Sequence, residues 1–212
     1  MMKRKLPVIA IMALFVIGAG IFYSISVSDA KVDQSGVVIK TGSPEETVKT
    51  YYELISKDRY EPAAALQTKQ SQKTNKAKDL KAQYKQVRLT TARLAKVFDA
   101  VSEKDIAVVG DIRLVKFPGN NYDSAIVSVT VLTNRVDKNK WEIVNSLEEV
   151  GKENFLTLLE MLIKLDKQMK DANIKADGFT DVQTGMIAQQ LKGISKFHKE
   201  QLDEYKSYLK GN

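Results

Sequence analysis

The sequence predicts an α+β protein: three N-terminal helices packed on a curved four-stranded antiparallel sheet, then a C-terminal helical hairpin, all behind one N-terminal transmembrane helix. Three observations carry this. Residues 6–27 hold no charge and are mostly apolar, which is enough to cross a bilayer as a helix. Between residues 91 and 147 the chain alternates β-branched runs with turn-forming clusters. On both flanks of that region, apolar residues recur every three or four positions, the period of a helix with one buried face.

Residues 1–30 read as a membrane anchor or an uncleaved signal. Lys3, Arg4 and Lys5 precede the apolar run, and basic flanks stay in the cytoplasm, so the rest of the chain is expected outside. A cleaved secretory signal is the other reading, because Ser28-Asp29-Ala30 offers a small-residue cleavage site; that form would be secreted. Residues 31–42 form a short tether.

The folded part opens at Ser43-Pro44-Glu45-Glu46, which combines an N-cap serine, a proline at the first helical position and a glutamate placed to bond back to the cap. Val48, Tyr51, Tyr52 and Ile55 follow at helical spacing. Asp58-Arg59-Tyr60-Glu61-Pro62 breaks that helix, Ala63 to Leu66 starts a second, and a lysine-rich third covers 73–86, with Ala77, Leu80 and Tyr84 as its apolar stripe. Four strands are expected at 91–102, 106–117, 123–134 and 140–147. In the third, Ala125, Val127, Val129 and Val131 share one face, which the preceding helices are expected to cover. Two helices then span about 152–171 and 181–209. The organisation is therefore a 43–150 domain and a 151–212 hairpin.

Composition narrows the function. The chain has 33 basic and 26 acidic residues, and residues 57–96 alone hold 11 basic against 3 acidic, which accounts for the whole excess. Such a balance favours anionic surfaces without making a polybasic arm. The absence of cysteine removes disulfides, thiolate metal sites, cysteine nucleophiles and lipid-modified cysteine.

The order of helices and sheet, with Ser-Pro-Glu-Glu-Thr-Val, Tyr-Tyr-Glu-Leu and Lys-Asp-Arg-Tyr at the start and Lys-Trp-Glu-Ile-Val on the last strand, resembles the nuclear transport factor two-like (cystatin-like) superfamily over about residues 43–148. The anchor-then-domain layout is similar to that of the anchored periplasmic subunit of type IV secretion systems. The resemblance implies a cone-shaped pocket between helices and sheet. These are packing signatures, so they imply fold better than activity.

The residues offer little chemistry. His198, the single histidine, lies in the last helix and reads as one polar position on an apolar seam. Asp99 and Asp111 are the sole acids well inside strands and the best candidates for a pocket carboxylate, both expected at edge or solvent-facing positions. No calcium loop, phosphate-cradling glycine loop or dinucleotide fingerprint is present, so neither cofactor nor metal is expected. The chain reads as a non-enzymatic binding or assembly module of the bacterial cell envelope. A hairpin seam of Ile187, Leu191, Ile194, Leu202, Tyr205 and Leu209 would pair with itself or an envelope protein. The alternative is a binder of a small or anionic ligand, through the cone pocket or a basic face of Lys69, Lys73, Lys76, Lys78, Lys81, Lys85, Arg88 and Arg93 facing lipid or wall polymer. A pocket isomerase or dehydratase is the minor reading, and nucleic acid is not expected.

Overall fold

The computed structural model describes residues 36–86, 93–117 and 121–210. The expected span at 6–27 lies outside the described residues, among which no helix is long and apolar enough to cross a membrane.

The protein is α+β with an antiparallel sheet and a C-terminal helical pair. Helix α1 (Pro44–Ser56) starts as the sequence requires, with Ser43 Oγ accepting from the Glu46 N–H at 3.2 Å. The neighbouring Glu45 reaches elsewhere, accepting the Ala100 N–H at 2.7 Å and so tying the helix start to the sheet. Asp58, in the left-handed region at φ 57°, turns the chain into α2 (Tyr60–Ala64). The expected lysine-rich helix is divided into α3 (Ser71–Thr74) and α4 (Ala77–Gln86).

The first expected strand is also divided. β1 (Arg93–Val97) and β2 (Val101–Glu103) both pair with β3 (Ile106–Val115), with an irregular stretch between them where the Phe98 N–H still reaches the Gly110 carbonyl at 2.9 Å. β3 pairs with β4 (Ser124–Thr133) along its whole length, Ile112 opposite Val127 and Asp111 opposite Ser128. The short β5 (Glu142–Val144) pairs only with Val131–Thr133. On its far side residues 66–68 add a parallel bridge, the Ile143 N–H donating to Leu66 at 2.8 Å and the Thr68 N–H to Ile143 at 3.0 Å.

All ten residues of β3 are buried, so both faces of the sheet are covered. Odd-numbered β3 residues and even-numbered β4 residues, such as Val109 and Leu132, pack under α1 to α4. Ile112, Leu114, Val127 and Val131 face the other way, into a core closed by α5 (Phe155–Asp171) and α6 (Asp181–Lys210). The face of Ala125, Val127, Val129 and Val131, expected to lie under the preceding helices, is therefore covered by the later helical pair instead, and the preceding helices cover the opposite face.

Helix α5 lies on β3, with Leu158, Leu159, Met161, Leu162, Leu165 and Met169 buried. The closest approach is at Gly110, where a Cβ would stand 2.4 Å from Met169 Sδ. Helix α6, about 45 Å long at 1.5 Å per residue, exceeds the sheet it covers. Its first half seals the β4 edge, where Gln190 mimics a strand by accepting the Val127 N–H at 3.0 Å and donating to the Ala125 carbonyl at 2.8 Å. Its second half runs along α5, ending with Tyr205 edge-on to Phe155 at 4.8 Å.

Candidate functional site

The helix period of α1 and the strand period of β3 and β4 bring one polar group into an otherwise apolar layer. Val48, Tyr51, Tyr52 and Ile55 are the sheet-facing stripe of α1. Below them Asp111 and Arg113, two apart on β3, share a face with Ser128 and Thr130 on β4. Arg113 Nε lies 3.2 Å from Asp111 Oδ1, at an angle that makes this an ion pair rather than a well-formed hydrogen bond. The guanidinium also donates to Ser128 Oγ and lies under the Tyr52 ring, 4.7 Å from its centroid.

Burial sets the electrostatics of this group. Desolvation raises the Asp111 carboxyl to about 6, against the opposing pull of the Arg113 cation and the Tyr52 hydroxyl. Desolvation likewise raises the Tyr52 phenol above its ordinary value, with Arg113 opposing and Asp111 reinforcing. Tyr52 and Ser128 separate this pair from a cavity of about 110 Å³ between α1, β4 and β5. It is lined by Val48, Ile143, Tyr51, Tyr52, Ser128, Thr130 and Asn145, and by Val129, Val131 and Val144, whose side chains pack into the core on the other face of the sheet.

Asn145 is held by a second polar cluster. Its N–H donates to Ser71 Oγ at 2.8 Å and its side-chain amide to Gln67, while Glu149 accepts from Thr68 and Ser71. This cluster fastens the 66–71 segment to the end of β5. It also fixes the direction of the Asn145 side chain at the cavity.

The two sequence-level acids part company. Asp99 is exposed, as expected, whereas Asp111 is fully buried, contrary to the edge or solvent-facing position expected of it. The signal was present: charges two apart in an apolar strand share a face, and two opposite charges on one face are buried only as a pair. His198 is buried too, and no local pattern points to its partner, Asp166 of α5, whose Oδ2 lies 3.0 Å from Nδ1. Among the described residues no group of three or more His, Cys, Asp or Glu could hold a metal ion.

Lys69, Lys73, Lys76, Lys78, Lys81 and Arg93 are exposed; Arg88 lies outside the described residues, as does the side chain of Lys85. The hairpin seam is mostly occupied within the chain, a correction to its expected availability. Ile187 and Leu191 are buried in the core, Ile194, Leu202 and Tyr205 pack partly against it, and Leu209 is half exposed.

No protein-family model matches this chain, and neither the curated proteins nor the solved structures provide a match.

Proposed function

We propose that this chain is a non-enzymatic binding module of the cell envelope, carried outside the cytoplasmic membrane by residues 6–27, and that its ligand site is the cavity under α1. The likeness to the nuclear transport factor two-like superfamily belongs to the same reading, since helices on a cupped sheet leave a cavity of this kind. One observation carries the proposal: the polar groups facing the cavity are hydroxyls and an amide, while the acid with a raised pKa lies behind them. Tyr51, Tyr52, Ser128, Thr130 and Asn145 can donate and accept hydrogen bonds. Asp111 could move a proton only if a substrate came within hydrogen-bond reach, and Tyr52 and Ser128 stand in between.

The cavity favours a small uncharged ligand with a hydroxyl or carbonyl at one end. A ligand charge would have no countercharge in the lining, and its desolvation would go uncompensated. Self-association through the hairpin is the weaker reading, because the seam is occupied by the sheet and α5.

The test is an NMR titration with small neutral amides and alcohols. Shifts should cluster at Val48, Tyr51, Asn145 and residues 128–131, and Asn145→Leu, which removes the amide with little change of shape, should weaken binding about tenfold or more. Shifts scattered over the surface, or chemical turnover of any probe, would overturn the proposal.

A further inference from the structure

None of the lysines that carry the excess positive charge lines the cavity, and their position relative to the start of the folded chain points to a second surface. Along one edge of the sheet the residues around β5 meet three segments in succession. The Trp141 N–H donates to Thr41 at 2.9 Å, Ile143 bridges residues 66–68, and the Asn145 N–H donates to Ser71 Oγ at 2.8 Å. Thr41 and Ser71 are therefore about 13 Å apart along one extended strand. Thr41 closes the 37–41 segment by which the chain enters the fold; Ser71 lies between Lys69 and Lys73 and leads directly into Lys76, Lys78 and Lys81.

All five of these lysines are exposed. The acids close to them are turned to other tasks. Glu149 accepts from Thr68 and Ser71, and Asp79 accepts the Lys76 N–H at 3.0 Å. The stretch from Val27, at the end of the apolar run, to Val37, which is buried in the fold, reaches at most about 35 Å.

We propose that Lys69, Lys73, Lys76, Lys78 and Lys81 dock this domain on the anionic headgroups of the membrane that its own N-terminal run enters. The inference rests on the anchored reading above and is independent of the cavity. Each lysine at an anionic membrane surface contributes about 1 kcal/mol, and the contribution decays within about a Debye length. A short tether supplies the rest by keeping the lysines at high effective concentration beside the bilayer.

The experiment uses the full chain, whose lack of cysteine lets Ala82→Cys take a single fluorescent donor at an exposed position of α4. The protein is reconstituted into vesicles of phosphatidylcholine, alone or with an equal part of phosphatidylglycerol, carrying a headgroup acceptor. Energy transfer should be greater on the anionic vesicles and should fall as salt is raised. Each Lys→Gln change should lower the ratio of docked to undocked forms about fivefold, and the variant with all five changed should lose the difference between vesicles. Equal transfer on both vesicles, or a difference that survives the fivefold variant, overturns the proposal. So does indifference to lipid charge combined with a response of the donor to soluble polyphosphate, which would assign the face to an anionic wall polymer. A chain that fails to float with either vesicle sinks the anchored reading and this inference with it, whereas flotation with equal transfer sinks the inference alone.

Discussion

Arg113 is balanced at neutral pH by a carboxylate that burial works to neutralise, so the protonation of Asp111 decides how the polar layer beneath α1 is held. The folded-state value of about 6 lies above the ordinary 3.8. The stability contributed by this group is therefore fully present below about pH 4 and lost as pH rises through about 6. Carbon-13 NMR of the Asp111 carboxyl should find its midpoint near 6, and Arg113→Met, which removes the opposing cation, should move it higher. Urea unfolding of the native chain minus that of Asp111→Asn should give a difference that declines across that same window and is flat above it. A midpoint in the ordinary carboxylate range would show that the ion pair outweighs burial. At this scale the sequence named Asp111 and placed it wrongly, because alternation tells which residues share a face but not whether that face is covered. It could not supply Tyr52 as a neighbour, since that contact joins the first helix to a strand far along the chain, nor Ser128, whose place opposite Asp111 depends on the exact register of β3 and β4.

Elements were more legible than their partners. The cap at Ser43, the stripes of α5 and α6 and the turns between strands follow from local rules, and the helices begin and end close to where periodicity puts them. What an amphipathic stripe does not state is the surface it will meet. That information sat in β3, whose run from Ile106 to Val115 is apolar on both faces apart from Gly110 and the Asp111–Arg113 pair, and so demanded a second cover. Gly110 marks where the cover comes closest. A methyl group there would meet Met169 Sδ at 2.4 Å and Phe98 at 3.3 Å, and Met169 is itself fully buried with little room to withdraw. Gly110→Ala should cost about 1–3 kcal/mol by overpacking, and Met169→Ala about 2–5 kcal/mol by leaving a cavity. Because the new methyl fills part of that cavity, the double variant should lose clearly less than the two losses added, as a urea double-mutant cycle would read. Simple additivity would mean that α5 shifts bodily to accept the methyl.

At the scale of the whole molecule the division of the chain at Val150 is one of sequence order, since among the described residues the sheet's second face is covered by α5 and α6 alone. Cutting there would expose Phe98, Val108, Ile112, Leu114, Val127 and Val131, all of which now face α5 and α6. Each large apolar side chain returned to water costs about 1.5–3 kcal/mol, while a domain of this size holds only about 5–15 kcal/mol in reserve. The contacts that Arg135 makes with Asp105, at 2.6 Å, and with the carbonyls of Glu149 and Val150 all precede the cut and do not offset that loss. A chain ending at Val150 should therefore lack a cooperative urea transition, bind an apolar dye and associate through its bare sheet, whereas the longer chain unfolds in one step. Association of the shortened chain would then report an uncovered core rather than a natural docking surface. A shortened chain that stayed monomeric and unfolded cooperatively would show instead that the first layer and sheet stand alone, making the helical pair a removable cover.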